Sequence, residues 1–165
     1  MNIDEPRWAD LDEATLRVRT MQTKLHHWAV SDPGRLFDEV FNLVYDRDFL
    51  TVAWGRVKGN KGGRTAGVDQ RIPALIGVGA ETAEFLDETR RLLKSRAFSP
   101  LPVRERLIPK PSSSKLRRLG IPTTRGRVML LLCVKQVGAS FDIDLSGWSA
   151  ADGVSRCRRF WMARC

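Results

Sequence analysis

Apolar residues recur at three- and four-residue steps through the N-terminal half of the chain, which is the spacing of one face of an α-helix. A first helix is predicted from Asp10 or Asp12, because either aspartate can cap its N-terminus. The apolar stripe of this helix consists of Ala14, Val18, Met21, Leu25 and Trp28.

A second helix is expected after Ser31, Asp32 and Pro33, which combine a capping side chain with a proline suited to the first helical position. Its apolar stripe consists of Leu36, Phe37, Val40, Phe41 and Val44. The short spacing between these residues predicts one compact helix before the next capping aspartate.

Two further amphipathic helices are predicted. The third begins at Asp46 or Asp48 and ends at Gly59. Its inward positions are Phe49, Leu50, Ala53, Trp54 and Val57. The fourth covers residues 81–97, and its inward positions are Phe85, Leu86, Thr89, Leu92 and Leu93. The last turn of the fourth helix carries cations that complement its negative end, namely Arg90, Arg91, Lys94 and Arg96.

The period changes near residue 99, where alternating residues between prolines predict an edge-like strand up to Lys110. A second strand is expected in KLRRLGIP, with Ser112 to Ser114 as the turn of an antiparallel hairpin. Thr123 or Thr124 then caps a largely buried helix, RGRVMLLLCVKQV. No sustained period follows. The prediction is an α+β chain with a helical segment at 1–58, a loop-and-hairpin segment at 59–137 and an aberrant tail at 138–165.

The charge balance narrows the range of partners. The 165-residue chain has a net charge of +9 and a pI near 10.2, which favours polyanions such as nucleic acid. The longest apolar run, VMLLLCV, is too short to span a membrane, and the acidic N-terminus does not resemble a secretory signal. The three cysteines are widely spaced, so neither a disulfide framework nor a zinc site is expected, and a reducing cytoplasm is the default location.

The predicted hairpin tip carries cations on both sides of its serine turn. Lys110 precedes the turn, and Lys115 and Arg117 follow it. Arginine and lysine neutralise charge on phosphate oxygens, so this tip is a candidate triphosphate clamp. The same composition is also typical of a solvated basic turn, and both interpretations stay open at this point.

A glycine-rich basic loop, GNKGGRTAGVDQ, follows the third helix. It lacks the GxxxxGK[ST] spacing of a nucleotide-binding loop, and a helix rather than a strand precedes it. Its glycines permit close approach to a nucleic-acid backbone, with Asn60, Lys61, Arg64 and Thr65 as donors. A flexible connection between helices explains the composition equally well.

Carboxylates are scarce in the middle of the chain. Between Arg90 and Ser140 the only one is Glu105. Magnesium-dependent catalysis needs clustered carboxylates, so this stretch is suited to holding anions and is not expected to hold a metal by itself.

Three ordered stretches together resemble the start of bacterial group II intron-encoded reverse transcriptases, also called maturases. They are MQTKLHHWA, LVYDRDFLTVAWGRVKGNKGGRTAGVD and FLDETRRLLKSRAFSPLPVRERLIPKPSSSKLRRLGIPTTRGRV. The resemblance covers roughly residues 15 to 137. It implies an incomplete right-hand polymerase fold with a helical N-terminal extension that helps to bind intron RNA, followed by a fingers-type hairpin.

The resemblance also implies residue roles. The loop from Asn60 to Asp69 would lie against an RNA template, and its contact residues would be Asn60, Lys61, Gly62, Arg64, Thr65, Gly67 and Asp69. By motif position Lys110 and Arg117 would contact the triphosphate of an incoming dNTP, with Lys115 as an auxiliary cation. RNA, a DNA primer and dNTP are the implied partners, and Mg²⁺ is the cofactor of the complete family enzyme.

The departures from the family pattern decide the functional prediction. Arg118 stands where the family has proline, and Gly126 stands where it has aspartate. The palm motif with its YADD carboxylates is missing, and Asp142 and Asp144 in FDIDLSGW only faintly resemble the first palm strand. We therefore expect a truncated RNA-directed DNA polymerase that retains template and dNTP contacts and does not polymerise alone. The alternative is a non-catalytic basic RNA-binding module or a non-functional remnant.

Overall fold

The structure is a computed structural model that describes residues 8–32, 40–110 and 115–133. Helix α1 spans Leu11–Ser31, and the Asp10 carboxylate caps it by accepting a hydrogen bond from the Asp12 amide at 2.9 Å. Ala14, Val18 and Leu25 are buried, as predicted. Met21 is half-buried and Trp28 is 37% exposed, so the buried stripe is narrower than the sequence indicates.

The second predicted helix is different in the structure. Residues 33–39, including Leu36 and Phe37, lie outside the described residues, and Val40–Tyr45 forms a 3₁₀ helix instead of an α-helix. The Asp46 amide accordingly bonds three residues back, to the Leu43 carbonyl at 3.4 Å. The prediction of an α-helix is therefore wrong for Val40–Tyr45, which apolar spacing alone does not distinguish from a 3₁₀ helix. Val40 and Val44 are nevertheless buried.

Helix α2 spans Arg47–Gly59, within the predicted bounds. The Asp46 carboxylate accepts hydrogen bonds from the Asp48 and Phe49 amides, which confirms one of the two predicted caps. All five predicted inward residues are buried. The Trp54 ring lies 4.9 Å, centroid to centroid, from the Phe85 ring of the next helix, so α2 forms the centre of the core.

Helix α3 spans Ala80–Lys94 and ends three residues before the predicted boundary. Arg96 adopts a positive φ of 56°, a conformation that cannot continue a right-handed helix. Its guanidinium instead lies 4.9 Å from the centroid of the Phe41 ring. Arg90 donates from Nε to the Tyr45 carbonyl at 3.0 Å. The prediction that these two cations serve the helix C-terminus is therefore wrong, whereas Arg91 and Lys94 do lie in the last turn.

The antiparallel hairpin is confirmed. Strand β1 spans Arg104–Pro109, β2 spans Leu116–Ile121, and Arg104 pairs with Ile121 at the base. The expected turn at Ser112 to Ser114 lies outside the described residues. With several helices and this two-stranded sheet, the described chain is α+β.

Helix α4 spans Thr124–Leu130 and continues as a π-helical turn at residues 131–133. The Thr123 hydroxyl caps it by accepting a hydrogen bond from the Gly126 amide at 3.1 Å. Gly126 is buried in regular helix, so the glycine that departs from the family pattern leaves the helix start intact. The rest of the predicted helix, residues 134–137, lies outside the described residues.

One hydrophobic core joins the four helices. Buried residues of α1, α2 and α3 pack with Val128 and Met129 of α4 and with Leu132 and Cys133 just after it. This core crosses residue 58, so the helical N-terminal segment and the loop-and-hairpin segment share one interior. No helix within the described part of the chain is long and apolar enough to cross a bilayer.

Candidate nucleic-acid interface

The two faces of the hairpin differ in charge. Directly opposite residues share a face, so the register Arg104 with Ile121, Arg106 with Leu119 and Ile108 with Arg117 defines one of them. This basic face carries Arg104, Arg106 and Arg117 and no carboxylate from either strand. Within β1 and β2, Ile121 is buried, and the other residues are half-buried or exposed.

The opposite face carries the strands' acidic residue. Glu105 lies there with Arg118, and Arg118 Nε is 3.7 Å from Glu105 Oε1. Both side chains are more than half exposed, so their attraction contributes little to stability. The pairing nevertheless affects the charge distribution of the hairpin. It keeps the negative charge of Glu105 beside a cation on the face opposite the basic face.

Two of the three predicted clamp residues, Lys110 and Lys115, lie just beyond the strand ends. The Lys110 amide donates to the Lys115 carbonyl at 3.1 Å, which continues the hairpin ladder by one position. By strand alternation Lys110 and Lys115 share the basic face with Arg117. The structure thus brings the three predicted triphosphate contacts to one face at the end of the hairpin.

The glycine-rich loop begins where α2 ends. The Asn60 amide bonds to the Arg56 carbonyl at 3.1 Å, and Lys61–Arg64 form a 3₁₀ turn. Asn60, Lys61, Gly62 and Arg64 are exposed. Gly63 is buried, and a Cβ there would lie 2.6 Å from the Lys58 carbonyl oxygen, so only glycine fits. The loop is therefore a specific turn that presents its cations outward.

The far end of the loop is fixed against the start of α4. A Cβ on Gly67 would lie 2.8 Å from the Pro122 carbonyl oxygen, and Asp69 Oδ2 accepts a hydrogen bond from the Thr124 amide at 3.2 Å. The Thr124 hydroxyl donates to the Arg71 carbonyl at 3.1 Å. The described contacts of Gly67 and Asp69, two predicted template residues, are thus with the protein backbone. Asp69 supplies negative charge at a helix start, which the helix dipole favours.

Arg127 is a residue that motif reasoning missed. It donates from Nη1 to the Gly62 carbonyl and from Nη2 to the Thr65 carbonyl, both at 2.6 Å, and from Nε to the Pro122 carbonyl at 3.1 Å. Burial lowers the pKa of Arg127 from its usual value, and the Asp69 carboxylate partly opposes this shift. Within the sequence Arg127 is one cation among many, so no spacing rule distinguishes it.

A groove of about 360 Å³ brings loop and hairpin together. Asn60, Gly62 and Thr65 line one side, and Leu119 and Ile121, at the base of the basic face, line the other. Leu130, Leu131 and Arg127 complete the walls. Lys115 is four residues from Leu119, or about 13 Å along the strand, so the predicted clamp lies well outside the groove.

Residues 8–32, 40–110 and 115–133 contain no cluster of three or more histidine, cysteine, aspartate or glutamate side chains that could hold a metal ion. The described residues therefore do not fit the two-magnesium site of a polymerase, and Asp142 and Asp144 lie outside them. Cys133 is buried, with its sulfur 3.8 Å from that of Met129, in agreement with a packing role. His26 and His27 are exposed on α1.

Comparison with known proteins identifies a relative of this chain, but the name of that relative does not state an activity. No protein-family model matches the chain. Over 112 residues the chain is 36% identical to Protein YkfC of Escherichia coli (strain K12). The aligned region is 68% of this chain and 29% of that protein, so the chain spans less than a third of this relative's length. The name of the relative specifies neither a substrate nor a partner.

Proposed function

We propose that this chain is the template- and nucleotide-binding portion of a group II intron-encoded reverse transcriptase, with an incomplete right-hand polymerase fold. In the complete enzyme this portion would contact the RNA template, the primer and the incoming dNTP. The proposal places the chain in the bacterial cytoplasm, where intron RNA is made. The chain alone is proposed to bind these ligands and not to polymerise them.

One observation carries the proposal. The glycine-rich loop and the base of the basic face line the same groove, although more than fifty residues separate them in the chain. The hairpin tip could also be a solvated basic turn, and the loop a flexible connection between helices. Neither interpretation explains why the two segments line one groove. A single strand of nucleic acid passing along the groove would contact both segments. The cationic contacts would come from residues next to the lining in sequence, namely Lys61 and Arg64 of the loop, which are exposed, and Arg117 on the face of Leu119.

The chemistry of the proposed clamp is charge neutralisation. Lys110, Lys115 and Arg117 share one face, and arginine can engage phosphate oxygens with two parallel hydrogen bonds. In the template part, the exposed Asn60, Lys61, Gly62 and Arg64 are the available contacts, and Thr65 is half-buried. Magnesium would support phosphoryl transfer in the complete enzyme, with ligands from outside the described residues.

Binding and primer-extension assays with the purified chain test whether it binds these ligands without polymerising nucleotides. We expect binding of single-stranded RNA and of dATP, weakened by Lys110→Ala, and no template-dependent incorporation of nucleotide. Incorporation that Lys110→Ala abolishes would show that the chain is a complete polymerase. If the chain binds neither RNA nor dATP near physiological salt, the proposed function is rejected.

A second candidate is a non-catalytic RNA-binding module. The groove supports the RNA-binding module as much as the polymerase portion, because the groove and the basic face need no metal to hold a polyanion. Measuring dATP affinity alongside RNA affinity separates the two. Retained RNA binding with no dATP binding supports the module, whereas competition by dATP that depends on Lys110 and Arg117 supports the polymerase portion.

A further inference from the structure

The loop carbonyls at the edge of the groove are held by one guanidinium. Arg127 bonds the Gly62 and Thr65 oxygens at 2.6 Å each, while its third hydrogen bond goes to Pro122, the residue that follows β2. Three chain segments therefore meet at one side chain: the loop, the end of the hairpin and the first turn of α4. The planar guanidinium presents several donors in a fixed geometry, which a lysine ammonium cannot reproduce.

The direction of these carbonyls is important for anion binding. A carbonyl oxygen carries partial negative charge, so an oxygen directed at a phosphate would repel it. In the structure Gly62 and Thr65 direct their oxygens to Arg127, while Lys61 and Arg64 are exposed. Among the described residues no carboxylate lies within ion-pair distance of Arg127, although the Asp69 carboxylate is near enough to act on its pKa, so the direct contacts of the guanidinium are with carbonyl groups.

We infer that Arg127 is a positioning residue for polyanion binding, which draws the loop carbonyls inward and fixes the loop relative to the basic face. The inference rests on the proposed function, since the ligand is the nucleic acid of the same groove. Arg127 acts through the loop and is not itself the phosphate contact. Its hydrogen bond to Pro122 ties the loop orientation to that of the hairpin.

The test compares Arg127→Lys and Arg127→Gln with a matched control, Arg91→Gln. Arg91 is exposed in the last turn of α3 and takes no part in the groove, so the control reports the loss of one charge. Binding of a short oligouridine RNA is measured by fluorescence anisotropy. Both Arg127 variants should weaken binding about tenfold, and Arg91→Gln by no more than about twofold. Full affinity in Arg127→Lys would overturn the inference, because a phosphate contact would tolerate lysine.

Amide hydrogen exchange provides a readout that does not depend on RNA. The Gly63 and Thr65 amides bond to Asn60 and Gly62 within the loop, and both should exchange about tenfold faster in Arg127→Lys. The Leu50 amide in α2 serves as the control for intact folding. Unchanged loop exchange in a folded variant would refute the positioning role. If the wild-type chain does not bind oligouridine, the proposed function fails. Amide exchange of Gly63 and Thr65 would still show whether Arg127 positions the loop.

A measurement on the wild-type chain covers the case in which both variants unfold. Three hydrogen bonds restrain the guanidinium, so the Nη protons of Arg127 should give separate, slowly exchanging NMR signals. One averaged signal for these protons would contradict the inference.

Discussion

The loop–helix junction, where the glycine-rich loop meets the start of α4, and the hairpin that precedes α4 are stabilised in opposite ways. At the junction, Gly67, Asp69, Thr124 and Arg127 form close backbone contacts and hydrogen bonds with defined partners. The hairpin has an exposed ion pair and buries Ile121 at its base. The junction is thus held by tertiary contacts, whereas most side chains of the hairpin are exposed and accessible to a ligand.

This difference predicts a division between stability and binding. Substitutions at the junction either introduce a steric clash or remove a hydrogen bond that holds the fold, so they should lower the free energy of unfolding. Substitutions on the exposed strands touch few neighbours, so they should leave stability nearly unchanged, and those on the basic face should alter affinity for anions. The following variants test that division in order of expected effect.

Gly67→Ala should have the largest effect. The added Cβ would meet backbone atoms of Pro122 and Thr123 at 2.8 Å, and backbone cannot move aside as a flexible side chain does. We expect a loss of about 1–3 kcal/mol in the free energy of unfolding, measured by urea denaturation. Gly62→Ala is the control from the same loop, since nothing lies within 4 Å of its Cβ position, and it should change stability by less than about 0.5 kcal/mol. Equal losses in both variants would contradict the account of the junction.

Thr123→Ala should have an intermediate effect. It removes the hydroxyl that accepts from the Gly126 amide and so leaves a buried donor at the start of α4 without this partner. The expected loss is about 1 kcal/mol. Thr20→Ala on α1 is the matched control, because that exposed hydroxyl bonds only to the Leu16 carbonyl of its own helix. Thermal unfolding followed by circular dichroism compares the two, and a smaller loss for Thr123→Ala than for Thr20→Ala would show that this cap is unimportant.

Glu105→Gln should have the smallest effect on stability. Its ion pair with Arg118 is more than half exposed on both sides, so the free energy of unfolding should change by less than about 0.5 kcal/mol. Oligouridine affinity should stay close to that of the wild-type chain, because Glu105 lies on the face opposite Arg104, Arg106 and Arg117. Glu84→Gln, at an exposed position on α3, changes the net charge equally and is the control. A gain in affinity confined to Glu105→Gln would contradict the claim that only the basic face contacts the RNA.

The elements that could be predicted from sequence are those whose signals are local. Asp46 and Thr123 cap their helices where the pattern places them, and alternation with flanking prolines identified the hairpin. The 3₁₀ turn at Val40–Tyr45 and the early end of α3 at Lys94 were missed, because apolar spacing does not distinguish a tight turn from an α-helix and Arg96 is not a usual residue for positive φ.

The candidate site was predictable only in part. Sequence patterns identified both cationic segments, but their sharing of one groove depends on the tertiary arrangement that places Thr65 and Leu119 along its lining. The template roles of Gly67 and Asp69 come from the family resemblance and stay a prediction, and the sequence does not show that the start of α4 lies beside these two residues. Arg127 is a long-range contact to backbone carbonyls, which any residue supplies, so no sequence signal marks its partners.

The central claim is that one face of the hairpin binds polyanions. Arg117 and Arg118 are adjacent in sequence and, by the register, lie on opposite faces, so they form a matched pair. The decisive measurement is the salt dependence of oligouridine affinity for Arg117→Gln and Arg118→Gln. The account predicts that Arg117→Gln weakens binding and lowers the slope of log affinity against log salt by about 0.7, one phosphate contact, while Arg118→Gln leaves the slope unchanged. Equal effects of the two substitutions would contradict it.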